Sequence, residues 1–133
     1  VRQELQLFPD DQMRAQAWED RRRAKAAIVA LLQDNGSIDP DVAATVAAGQ
    51  DLPEKVRLAI IAHLAQTPCR LALLSLEDIF GWLEQQNLPG TKDEYPNWRL
   101  KLPLLLEDIA RAPQLERVAE IMRRYRVDAA SRS

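Results

Sequence analysis

The chain has 133 residues, 47% of them hydrophobic and 29% charged, and a net charge of −2. That is one domain's worth of sequence with a globular rather than a disordered composition, and a pI near 5.5 argues against nucleic acid as the main partner. No apolar run approaches the roughly 20 residues of a membrane helix, and a single cysteine, Cys69, rules out an intramolecular disulfide or a cysteine-built zinc cage.

These properties fit a cytoplasmic protein with no metal, no cofactor, and neither nucleic acid nor membrane as partner. The first residue is Val1, not Met, so the chain is expected to be either processed or a piece of a longer protein.

Residues 10–34 read as a long helix. Asp10 and Asp11 suit its positive end, Met13, Ala17, Ala24, Ile28 and Leu31 recur at helical spacing, and Asn35-Gly36 closes it. The basic run Arg21, Arg22, Arg23 and Lys25 lies beside Glu19 and Asp20, with Glu19 and Arg23 at i,i+4. That spacing predicts an internally paired, solvated face. A short Ala-rich helix follows, with Asp39 as N-cap, Pro40 at its first position and Gly49 as its stop.

A third helix runs between Pro53 and Pro68. Its apolar residues Val56, Leu58, Ile60, Ile61 and Leu64 surround it almost completely, which predicts burial. The only histidine, His63, lies on this helix and reads as a packed or rim residue rather than a catalyst. Leu71, Ala72, Leu73 and Leu74 then make a short apolar run ended by Ser75, with Glu77 and Asp78 opening a short helix. The run reads either as helix or as a strand whose sheet lies in sequence outside the chain.

The stretch "QQNLPGTKDEYPNWRLKLP", residues 85–103, departs from the helical composition around it. Pro89-Gly90 signals a turn. Asn87, Thr91 and Asn97 carry groups that both donate and accept hydrogen bonds, and Tyr95 and Trp98 carry flat apolar faces. This mixture suits a sugar, whose hydroxyls need paired partners and whose ring CH face stacks on aromatics. It also suits an ordered loop in which Trp98 plugs the core and the asparagines cap turns, and composition alone favours that reading. Beyond it, a helix is expected from Pro103 with Leu105, Leu106 and Ile109 inward. A last helix from Pro113 carries Leu115, Val118, Met122 and Tyr125 on one stripe, and the tail from Asp128 is expected to fray. No repeat of 20–50 residues is present, so a helical solenoid has no support.

Four elements together carry a resemblance: Leu73-Leu74, Leu76-Glu77-Asp78, Asn87-Leu88-Pro89-Gly90-Thr91 and Asn97-Trp98-Arg99. In this order and spacing, residues 71–103 resemble the C-terminal region of the 4-α-glucanotransferases (amylomaltases or disproportionating enzymes, glycoside hydrolase family 77). The Trp-Glu-Asp-Arg-Arg-Arg-Ala-Lys helix and the His63 helix fit more loosely. The resemblance implies a mainly α chain, the C-terminal piece of a (β/α)₈ TIM barrel, with four to six helices and at most one or two short strands. Such a barrel takes about 250 residues, more than this chain has.

On that reading the segments are helices over 1–68, the last barrel strand over 69–75, a substrate-side loop over 76–98, closing helices over 99–127, and a tail. The substrates implied are maltooligosaccharides and other α-1,4-glucans. The catalytic carboxylates fall outside the chain, so it holds no catalytic residue and is expected to be inactive alone. The implied substrate contacts are Asn87, Pro89, Gly90 and Thr91, with Asn97, Trp98 and Arg99 as structural anchors of the loop. The unpaired edge at 70–75 gives the isolated chain a route to self-association. The competing readings are a free-standing helical interaction module and a non-catalytic carbohydrate-binding domain.

Overall fold

The structure, a computed structural model, describes residues 8–49 and 52–127. Six α-helices and no strand occur among them: α1 (Asp11–Asp34), α2 (Pro40–Ala47), α3 (Glu54–Ala65), α4 (Leu76–Phe80), α5 (Leu106–Ala110) and α6 (Pro113–Met122). A single π-helical turn, Arg123–Val127, continues α6. The mainly α expectation holds. The expected fraying from Asp128 lies outside the described residues.

Local chemistry sets most of the boundaries. The Asp10 carboxylate accepts the Met13 N–H at 2.7 Å and starts α1, while Asn35 closes it. Asp39 and Pro40 begin α2 as expected, and the Ser75 hydroxyl accepts the Asp78 N–H at 3.0 Å to begin α4. One boundary differs. The helix expected from Pro103 starts at Leu106, because bends at 103–104 and an extended Leu105 take up the intervening chain. Leu105 and Leu106 consequently point outward, 69% and 71% exposed, and only Ile109 of the expected trio is buried.

The core has two parts with α3 between them. Val29 and Leu32 of α1, Ile38, and Ala43 and Val46 of α2 pack on Val56 and Ala59 of α3. On its other side, Ile61 packs with Ile79 of α4 and Val118 of α6, with Leu58, Leu74, Phe80, Leu115 and Met122 around them. Val56, Ala59 and Ile60 share one face at i, i+3 and i+4, and Leu58 and Ile61 share another, so the near-continuous apolar surface of α3 serves two cores. Leu32 is 1% exposed, and truncating such a leucine to alanine typically costs about 2–5 kcal/mol.

Polar contacts join the same helices. The Lys55 ammonium at the start of α3 bonds the Asp39 carboxylate at the start of α2. Arg117 of α6 donates to Glu54 of α3 at 2.7 Å. Glu19 pairs with both Arg22 and Arg23 on α1, as the spacing predicts.

Residues 71–75 join α3 to α4 without helix or sheet pairing. Leu71 and Leu73 are 82% and 92% exposed, while Leu74 packs against the second core. Side chains therefore alternate outward and inward with the period of a strand, although no ladder forms among the described residues.

Candidate functional site

The loop following α4 is organised by a turn, a buried leucine and one asparagine. Helix α4 ends at Gly81, whose φ of +74° gives the left-handed cap that sends the chain outward. Phe80 and Trp82 stack with ring centroids 4.7 Å apart, holding the start of the loop. Further along, Leu88 is buried, 2% exposed. Pro89 and Gly90 then form a reverse turn. Thr91 N–H donates to the Leu88 carbonyl at 3.2 Å, and Gly90 has φ +92°, the left-handed third position of a type II turn. A Cβ at Gly90 would meet nothing within 4 Å, so the turn presents an open face.

Asn97 ties this turn to the returning strand of the loop. Its side-chain oxygen accepts the Leu88 N–H at 2.7 Å, and its NH₂ donates to the Thr91 carbonyl at 3.1 Å and to the Thr91 hydroxyl at 2.9 Å. The Thr91 hydroxyl in turn donates to the Leu88 carbonyl at 2.7 Å. One amide thus holds both ends of the turn, using its acceptor and its donors. Two further bonds close the base of the loop: the Tyr95 hydroxyl donates to the Gln85 carbonyl, and the Trp98 N–H donates to the Gln86 carbonyl at 2.7 Å.

The seven residues singled out from the sequence fall into two groups. Pro89, Gly90, Thr91 and Asn97 meet in one hydrogen-bonded unit, and Asn87 adjoins it. Among the described residues the half-buried Asn87 amide makes no hydrogen bond, whereas both functions of Thr91 are engaged within the loop. Trp98 and Arg99 point outward. Trp98 does not plug the core among the described residues: it is 75% exposed, whereas Leu88 in the same loop is 2% exposed. Trp98 is also the one non-glycine with positive φ among the described residues, at +59°, a backbone state that costs a side-chain-bearing residue about 1–2 kcal/mol. Sequence reading missed the roles of Leu88 and of the Gln85 and Gln86 carbonyls. No residue-type signal marks a carbonyl, and Leu88 was one leucine among many.

The electrostatics are mild. The Glu94 carboxylate accepts the Lys92 N–H at 2.8 Å, and this bond with its own backbone amide holds its pKa below the ordinary value. His63 is half-buried with Nδ1 3.5 Å from the Asn35 amide. Cys69 is an exposed free thiol. No group of three or more metal-ligating side chains occurs among the described residues, and no helix among them is long and apolar enough to cross a membrane.

The tied loop carries an amide without a partner among the described residues, an open turn and an outward indole on a helical scaffold. The sequence pattern of glycoside hydrolase family 77, described as 4-alpha-glucanotransferase, matches residues 9–107, and the chain belongs to that family. It is similar to proteins named 4-alpha-glucanotransferase from Mycobacterium bovis (strain ATCC BAA-935 / AF2122/97) and from the CDC 1551 / Oshkosh and H37Rv strains of Mycobacterium tuberculosis. Each is 43% identical over 76 residues, covering 53% of this chain and 10% of the relative. The chain thus spans about a tenth of the length of these curated relatives. No solved structure matches it.

Proposed function

We propose that this chain is the C-terminal part of a cytoplasmic 4-α-glucanotransferase and supplies one wall of its α-1,4-glucan groove. The observation that carries the reading is the loop over 87–97: in a member of this family, Asn97 locks the turn while the Asn87 amide and the Gly90 face stay unengaged. In a (β/α)₈ barrel, loops that follow strands lie on the catalytic face. The strand-like alternation at 71–75, with Leu71 and Leu73 outward, supports reading 69–75 as the last strand, awaiting neighbours from the remainder of the protein. On this division, residues 1–68 precede that strand, 76–98 form the substrate-side loop, 99–127 close the barrel, and 128–133 are the tail.

The reaction is a double displacement with retention. A carboxylate attacks the anomeric carbon, and a second carboxyl group protonates the leaving oxygen and then takes the proton of the incoming sugar hydroxyl. Both groups belong to the remainder of the protein. Such pairs stand about 5–5.5 Å apart, and four carboxylates of this chain are engaged in other contacts. Asp10 caps α1, Asp39 bonds Lys55, Glu54 bonds Arg117, and Glu94 accepts a loop amide. The contribution of this chain is positional: Asn87, Pro89, Gly90 and Thr91 shape the sugar-facing side, and Asn97 and Arg99 brace the loop.

Incubation with maltotriose tests the reading. The purified chain alone is expected to leave maltotriose unchanged, and the same chain joined to the upstream part of its protein is expected to redistribute it into glucose and longer oligomers. Redistribution by the chain alone, or none by the complete protein, overturns the proposal.

A further inference from the structure

We propose that Trp98 is a stacking platform for a pyranose ring of the glucan, an inference that rests on the substrate reading above. Packing within this chain does not explain the residue, because its side chain is 75% exposed among the described residues. Local convenience does not explain it either. At φ +59° glycine or asparagine is the economical choice, and an indole there combines backbone strain with an unburied apolar face. The strain is held in place from both sides. The Trp98 N–H is bonded to the Gln86 carbonyl, the Arg99 N–H to the Pro96 carbonyl at 3.0 Å, and the side chain of the preceding Asn97 to Leu88 and Thr91. Strained residues that the surrounding structure over-determines cluster at ligand-contacting positions.

The chemistry favours a sugar ring. Among the described residues the Trp98 indole joins no stacked aromatic pair and no cation–π pair, and three quarters of its surface is exposed. A glucopyranose offers axial CH groups to such a face and hydroxyls to the indole N–H, which only donates. The acceptor of the Trp98 backbone bond is Gln86, the residue before Asn87. Platform and unengaged amide are therefore rooted at adjoining points of one tied loop, an apolar face beside a hydrogen-bonding group.

The test uses the complete enzyme, the variants Trp98→Gly and Trp98→Tyr, maltotriose disproportionation, and thermal unfolding. Glycine relieves the left-handed strain, so Trp98→Gly should melt at or above the wild-type temperature while its KM for maltotriose rises about tenfold, equivalent to about 1.4 kcal/mol. Trp98→Tyr keeps an aromatic face and should retain most of the affinity. An unchanged KM in Trp98→Gly overturns the platform while leaving the substrate reading standing. A Trp98→Gly protein that melts lower or fails to fold also overturns it, since the ring would then be packing against another part of the protein. A wild-type enzyme that leaves maltotriose untouched removes both the platform and the reading beneath it.

Discussion

The side-chain oxygen of Asn97 and the backbone N–H of Leu88 meet at 2.7 Å across nine residues of sequence. This contact decides where the Pro89-Gly90 turn sits, because the amide that accepts from one end of the turn also donates to the other. Asn97→Ala leaves the part-buried Leu88 N–H without its acceptor and should cost about 1–3 kcal/mol. Asn97→Asp keeps an acceptor and loses the two donations to Thr91, so it should fall between. Urea denaturation of the chain checks both, and equal midpoints for wild type and Asn97→Ala would show that the tie contributes nothing.

Asn87→Ala should act on transfer rather than on folding. Its amide makes no hydrogen bond to the described residues, so its removal costs the fold little, whereas a lost sugar hydrogen bond is worth about 0.5–1.5 kcal/mol. In the complete enzyme this should lower kcat/KM for maltotriose roughly two- to tenfold. A normal kcat/KM in a stably folded variant removes Asn87 from the sugar-facing set.

Gly81→Ala should destabilise through two effects. The left-handed φ of +74° costs a Cβ-bearing residue about 1–2 kcal/mol. The new Cβ would also lie 2.4 Å from the Arg57 Nη1, so that guanidinium must move. Gly36→Ala is the control, with φ +70° and nothing within 4 Å of its Cβ position. The difference in melting temperature between the two variants isolates the Arg57 contact, and no difference would mean that the arginine yields freely.

Acid should loosen the loop from one identifiable side chain. The folded pKa of Glu94 is lowered from the ordinary 4.5, chiefly by the bond from the Lys92 N–H. A depressed carboxylate contributes stability that is present above its unfolded pKa and is lost as pH falls through the folded value. The window therefore lies below 4.5. The Lys92 amide resonance should titrate there in wild type and stay flat in Glu94→Gln.

Where the chain turns on short-range chemistry, sequence and structure agree. Asp10, Asp39-Pro40 and Pro113 mark helix starts within a residue: Asp10 through a bond to the N–H three positions on, and Pro40 and Pro113 through a fixed φ that suits the first helical turn. The Asn87–Thr91 and Asn97–Arg99 motifs also mark the loop correctly, and Pro89-Gly90 its turn. The direction of Trp98 was not legible. Its backbone is fixed by a hydrogen bond to Gln86, twelve residues away. Leu105 and Leu106 misled for a related reason. Apolar type signals a wish for burial, and whether a neighbour is present to grant it depends on elements distant in sequence.

Helix α1 has 24 residues, yet its only buried side chains are Val29 and Leu32, both in its last third. At 1.5 Å per residue, the portion from Asp11 to Lys25 is a rod of roughly 20 Å supported mainly by itself. Its cohesion comes from the Asp10 cap and from the Glu19 contacts with Arg22 and Arg23, which salt screens. Helices of about this length are marginal alone in water. The far-ultraviolet circular dichroism of the chain should therefore begin to decline on warming while the environment of Trp82, stacked on Phe80 beside the second core, is still native. The gap between the two transitions should widen as salt is added, so the molecule melts from one end, like a pennant fraying from its free edge.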